Sequence, residues 1–307
     1  MKLQQVSNND VKSTSFINSM MKYSSILEYA EFYKIVGNSD MPRKKATAGG
    51  GQFRSLNDNW NSNITNPQFA SLNLKIFGDK IEIDKAHERR AGDIPSERAR
   101  QLLNFAEEFG KNFQNEFFNG KSAVNLKSWN GLSTIIPASQ IIYAAEDGLL
   151  VEMGNSNDAK LSQQKFIESL RKLISKIDGG AQVLYMNEDA WTRLTSIAAE
   201  FINWQKNEFG SLVPHFSGVP IRSGGYNTAG NLIIPADEAI GSYSNGTSIY
   251  AVRFGEKKDL TIGTSNGLNI DDLGLVGNHY TDNVELDADL CLLNNRAAAV
   301  LKGIVIG

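Results

Sequence analysis

The sequence predicts an α+β fold in which one long helix carries sheet and helix layers drawn from distant parts of the chain. Three observations predict it. Phenylalanines recur at helical spacing over about 25 residues after Asp93, period-two alternation occurs near Leu72 and again after Val284, and helices and strands alternate compactly between these regions.

Residues 1 to 55 read as an N-terminal arm. From Phe16 through Met20, Tyr23, Leu27, Ala30 and Ile35 the apolar residues recur every three to five positions, which predicts a partly amphipathic helix ending at Gly37-Asn38. Arg43-Lys44-Lys45 and Gly49-Gly50-Gly51 follow, a composition that is flexible until a partner orders it. Over 56 to 92 the sequence predicts an extended-loop β-hairpin: Leu72, Leu74 and Ile76 alternate, Gly78-Asp79 supplies the turn, and Ile81 and Ile83 resume. The polar flanks leave this ribbon without a local core, so its apolar side must be covered from elsewhere.

The longest helix starts at Asp93 or Ser96 and stops at Asn119-Gly120, with Leu102, Phe105, Phe109, Phe113 and Phe117 on one stripe. At 1.5 Å per residue it is a rod of roughly 37 Å, a spine that needs a sheet or another chain to lie on. A helix over Asp158 to Ile177, the strand Val183 to Met186, and a helix capped by Asn187 with Glu188 and Asp189 in its first turn come next. Short strands are expected at Gly218 to Ile221, Leu232 to Ile234 and Ser248 to Phe254. From Val284 alternation returns, and Asn294-Asn295 predicts a turn closing a long terminal hairpin with Ala297 to Ile306. This hairpin is expected to pack on the Phe stripe, which makes the middle segment an insertion.

Composition bounds the function. With 41% hydrophobic and 21% charged residues the chain is an ordinary folded protein, and its net charge of -3 disfavours a protein whose main work is gripping nucleic acid. Cys291 is the single cysteine, which forbids an internal disulfide and any multi-cysteine metal site and points to a reducing compartment. The sequence has neither a membrane-length apolar run nor the pattern of a signal peptide.

No constellation carries catalysis. Gly120-Lys121-Ser122 resembles the end of a phosphate loop, but Asn115 stands where a glycine is required and a helix precedes it. Gly263-Thr264-Ser265-Asn266-Gly267 matches a nucleophile elbow, with Asp271, Asp272 and His279 in hydrolase order, yet no helical stripe follows Ser265. His87, His215 and His279 lie in separate segments without metal-ligand spacing, and Asp93, Glu97, Glu107 and Glu108 read as helix-start and surface acids. No catalytic, cofactor or metal site is expected.

In order, these segments resemble the Hong Kong 97-type major capsid protein of tailed bacteriophages. The likeness rests on the ribbon Phe69 to Arg90 before IPSERARQLLNFAEEFGKNFQNEFFNG, the NGL at Asn130 to Leu132, VLYMNEDAWTRL at Val183 to Leu194, GVPI at Gly218 to Ile221, IYAVRFGE at Ile249 to Glu256, and the closing LLNNRAAAVLKGIVIG. It covers roughly residues 60 to 307. The resemblance implies a non-enzymatic subunit with a peripheral domain (93 to 136 and 280 to 307), an inserted axial domain (137 to 279) and an extended loop reaching a neighbour. Such subunits form hexamers and pentamers that tile an icosahedral head around double-stranded DNA in a virion assembled in the host cytoplasm, with a portal and scaffolding or decoration proteins as further partners.

On this reading Leu72, Leu74, Ile76, Ile81, Ile83, Arg89 and Arg90 are the candidate intersubunit contacts, and Arg43, Lys44 and Lys45 the candidate genome-facing residues, touching DNA without sequence specificity. Some family members link a loop lysine to a neighbour's asparagine. Lys75, Lys80 and Lys85 and Asn294 or Asn295 occupy matching regions, but noncovalent docking is expected here, and residues 1 to 55 are expected to stay on the mature subunit. An encapsulin shell subunit is the nearest alternative, and a Ser265-dependent hydrolase one from another class.

Overall fold

The computed structural model describes residues 1–7, 10–45, 51–60, 66–91, 94–207 and 210–306. The chain opens with α1 (Leu3–Val6), α2 (Val11–Tyr23) and α3 (Ile26–Tyr29), then β1 (Phe32–Lys34), β2 (Ser39–Asp40), β3 (Leu72–Asn73) and β4 (Lys75–Asp84). Helix α4 (Ala86–Ala91) leads into α5 (Ile94–Asn119), the predicted spine. Next come α6 (Leu132–Ile135), β5 (Ile141–Tyr143), β6 (Leu149–Val151), α7 (Asn157–Lys176), β7 (Val183–Met186) and α8 (Glu188–Ile197). Strands β8 (Ile202–Lys206), β9 (Leu212–Phe216), β10 (Val219–Ser223), β11 (Glu238–Ile240), β12 (Tyr243–Val252), β13 (Leu260–Val276), β14 (His279–Leu292) and β15 (Ala298–Ile306) complete it.

Two sheets flank the spine. The smaller has the order β1-β13-β14-β4, and the larger runs β5-β15-β12-β7-β10-β9-β8, with β6 on β15 and β11 on β12. Phe109, Phe113, Phe117 and Phe118 of α5 are buried in one core with Ile262, Leu268, Val284 and Leu286 of the smaller sheet and Val183, Tyr185, Tyr250 and Val252 of the larger. Strand alternation explains why β7 is buried along its length: Val183 and Tyr185 face α5, while Leu184 and Met186 join Phe166, Leu170 and Leu194 of α7 and α8 on the other side. The caps are local: Asn187 Oδ1 accepts the Ala190 N–H at 2.9 Å, and Ser156 Oγ accepts that of Ala159 at 3.1 Å.

Three expectations are corrected. Gly78-Asp79 is not a turn, because β4 runs straight through it and pairs antiparallel with β14 from Lys75↔Ala288 to Asp84↔His279. The glycine is there for close approach: a Cβ at position 78 would lie 2.3 Å from the Val284 carbonyl oxygen. Nor do β14 and β15 form a hairpin. Asn294-Asn295 carries the chain from the smaller sheet to the larger, so 298–306 lies among strands of the inserted segment, and β13 at 260–276, expected within that segment, pairs with β14 instead.

The third correction concerns the arm. Leu3, Val6, Phe16, Ile17, Met20, Ile26, Leu27, Ala30 and Phe32 are all buried in the spine's own core. Phe16 stacks edge-on to Phe109 at 5.6 Å, and Gly110 lets α2 cross the spine closely, since a Cβ there would lie 2.9 Å from the Met20 carbonyl. Helix formation was legible at Phe16 to Met20, but the segment is part of the body through Ile35.

Candidate assembly surface

The residues singled out for intersubunit contact separate into two groups. Leu72, Ile81 and Ile83 are buried within their own chain, and Leu74 is partly buried beside Leu72, Tyr33 and Cys291. Their ribbon therefore finds its core on β14 and α5, a correction to the expectation that a neighbour must supply it. Ile76, on the opposite face of β4, is 72% exposed, and Arg90 is exposed. The side chain of Arg89 lies outside the described residues, as do Gly49, Gly50 and Asp93.

Of the basic residues, Lys45 pairs with Asp178, Lys44 donates its N–H to the Gln68 carbonyl at 2.8 Å, and exposed Arg43 bridges antiparallel to Phe69. The segment is thus docked against the body.

Exposed large apolar side chains lie at several separate places. Beside Ile76 the loop after α5 holds Val124 and Leu126 in solvent, and Lys75 Nζ fastens that loop by donating to the Leu126 carbonyl at 3.0 Å. The segment 51–60 exposes Phe53, Leu56 and Trp60, the last beneath the Arg54 guanidinium at 5.3 Å. Leu273, Leu275 and Val276 protrude from the tip of the β13–β14 hairpin, and Trp204 and Leu212 from the β8–β9 hairpin. The apolar residues in 51–60 carried a signal: Phe, Leu and Trp set among Asn, Ser and Asp have no periodicity with which to bury themselves. The hairpin tips carried none without knowledge of the pairing.

A charge network fixes the β13–β14 hairpin to the start of the spine. Arg98 donates to Asp272 at 2.7 Å and to Asp282 at 2.9 Å, Lys12 of α2 reaches Asp272 at 3.1 Å, and Arg98 lies over the Tyr280 ring. The Arg98 hydrogen bond holds the Asp272 carboxyl well below the usual carboxylate range despite burial pushing the other way. On the spine itself Arg100 lowers Glu97 to about 2, and Lys111 lies within ion-pair distance of Glu107 and Glu108.

The motifs that suggested chemistry are structural elements. Ser265 lies within β13 and donates to Asp287 at 2.8 Å. His279 is eight residues further back along β14, roughly 27 Å at strand rise, so these residues do not converge as a triad. Ser122 follows the spine's C-terminus and donates from its N–H and its hydroxyl to Asn130 at 2.9 Å. Asn294, considered for covalent linkage, is buried and donates to Asp259 at 2.9 Å. Burial raises the Cys291 thiol to about 11. Among the described residues no group of three His, Cys, Asp or Glu side chains clusters, and no helix is long and apolar enough to cross a membrane.

No family model matches the sequence, and no curated protein matches it. Solved structures do match. The SrpI encapsulin of Synechococcus elongatus is 13% identical over 92% of this chain and 87% of its own, with a TM-score of 0.63. The capsid of an empty GTA particle is 13% identical over 92% and 90%, with a TM-score of 0.59. The capsid of the Myoviridae phage XM1 is 14% identical over 90% of each chain, with a TM-score of 0.51.

Proposed function

We propose that this chain, which has the Hong Kong 97-type capsid fold, is a shell subunit: the major capsid protein of a tailed bacteriophage. Copies assemble as hexamers and pentamers into an icosahedral head that encloses double-stranded DNA, with a portal and scaffolding or decoration proteins as partners and the virion as its location. The observation that carries the reading is the scatter of uncovered apolar side chains. Ile76 with Leu126, Phe53 with Trp60, Leu273 with Val276, and Trp204 with Leu212 occupy separate parts of the surface. A closed dimer uses one self-complementary patch, whereas a lattice uses several at once. Arg43 and Lys44 supply sequence-independent phosphate contacts.

A nanocompartment shell is the second reading, favoured by the TM-score of 0.63 to the SrpI encapsulin. The contents separate the two. Particles isolated from the producing cells are treated with nuclease, then opened. Protected DNA of defined length supports the virion, and a co-packaged enzyme without DNA supports the compartment.

A further inference from the structure

We infer that the outer edge of β4 is a two-fold pairing site for β4 of a second copy of this chain, in the antiparallel register centred on Ile81. The inference rests on the shell reading for its biological setting, although the pairing itself does not require a shell.

Strand β4 is ten residues long and ends the smaller sheet, with β14 on one side and, among the described residues, no strand on the other. Which main-chain groups are free follows from the register. Lys85 donates its N–H to the Asn278 carbonyl at 2.8 Å, and the β4–β14 ladder runs from there without a bulge. Odd-numbered residues of β4 therefore bond to β14, and Gly78, Lys80, Glu82 and Asp84 turn their N–H and C=O groups outward. The Lys80 N–H, pointing away from β14 as this register requires, is taken by the Asp79 carboxylate at 2.7 Å, a bond that pairing exchanges for a cross-strand one. An open ladder of this length is a template for a strand of another chain, and the charges along it decide which strand and which register it accepts.

The side chains select one register. Two antiparallel copies related by a two-fold axis must be centred on a residue, because only then do facing residues lie on the same side of the joined sheet. Of the centres from Asp79 to Ile83, those at Asp79, Lys80 and Glu82 set a charge against its own copy, and that at Ile83 sets Glu82 against Asp84. Centring on Ile81 sets Lys80 against Glu82 of the partner subunit, twice, on the outer face where both are exposed. On the inner face it places Ile81 against its own copy, extending the apolar layer beneath the sheet. Within one chain Lys80 and Glu82 satisfy each other at 2.5 Å, and pairing exchanges these bonds for cross-strand ones.

The test uses the full-length chain. In this register the two Ile81 residues form a non-hydrogen-bonded pair with Cα atoms about 4.5 Å apart, within the roughly 4.4–6.8 Å a disulfide spans. Ile81→Cys is expected to give disulfide-linked dimers on a non-reducing denaturing gel after oxidation, while Ile83→Cys and the wild type stay monomeric on that gel. Lys80→Glu is expected to raise the concentration needed for self-association about tenfold or more, and Lys80→Glu with Glu82→Lys to restore it. Both exposed positions leave the core intact, so the charge swap is informative even if Ile81→Cys folds poorly. Particles that form normally with Lys80→Glu, together with an Ile81→Cys gel showing only monomer, would overturn the pairing and leave the shell reading standing. Ile81-linked dimers with charge-swap rescue but no particles would uphold the pairing and sink the shell reading. A chain that neither links nor associates would remove both.

Discussion

Gly78→Ala tests the placement of β4 on β14. An added Cβ would lie 2.3 Å from the Val284 carbonyl oxygen and 3.0 Å from the Glu285 Cα, both main-chain atoms of the neighbouring strand. Contacts under 3.0 Å are essentially never seen for a real Cβ, so the strands must part locally. Losing or stretching two ladder bonds costs about 1–3 kcal/mol, the same range as overpacking a filled site. For a chain of 307 residues unfolding two-state, an entropy of about 2.1 cal/mol/K per residue converts 2 kcal/mol into a fall in Tm of about 3 °C. Urea unfolding followed by tryptophan fluorescence measures the loss, and hydrogen exchange at Phe77 to Asp79 localises it. In a Gly-Asp turn the new methyl would face solvent, cost about 1–2 kcal/mol only if its backbone were left-handed, and leave the exchange of neighbouring ladder amides unchanged. Gly78→Ala with wild-type stability and unchanged exchange would refute the continuous strand.

Phe113→Ala empties a fully buried site between Phe77 at 6.1 Å and Trp129 at 5.7 Å, and is expected to cost about 3–5 kcal/mol by denaturant unfolding, against about 0.5 kcal/mol or less at an exposed position such as Val124→Ala. Asp272→Asn is expected to lower stability at pH 7. Because the folded-state pKa of Asp272 is depressed, its contribution is present above the unfolded value of about 4 and is lost as pH falls through the folded one, so the variant and wild-type Tm curves should converge below about pH 4. Parallel curves down to pH 2 would deny the Arg98 pairing its role. Ser265→Ala is expected to leave assembly unchanged, and an esterase activity lost with Ser265 would revive the hydrolase.

The spine was legible to within a residue or two, because the phenylalanine stripe and Gly120 are local signals. The cap at Asn187 and the buried strand Val183–Met186 were legible for the same reason. Pairing was not. Alternation in 284–292 announces a strand but not its neighbour, and the neighbours of β14 turned out to be β13 and β4, the latter about 200 residues earlier. Gly-Asp at 78 and Asn-Asn at 294 carry turn chemistry; one meets a close interstrand approach and the other a passage between sheets, distinctions that exist only once both strands are placed. The N-terminal helix pattern was visible, but the surface it covers, Phe105 to Gly110, lies some ninety residues on. Among the assembly candidates, Ile76 alternates with Lys75 and Phe77 like any strand residue, so its outward direction required the face of β4 to be known.

The most direct measurement is cryo-electron microscopy of the purified full-length chain across a concentration series. Closed shells built of five- and six-membered rings, in which Ile76, Leu126, Trp204 and Leu275 are covered by neighbouring subunits, are the predicted result. A monomer that persists at the highest concentration with those side chains in water would contradict it.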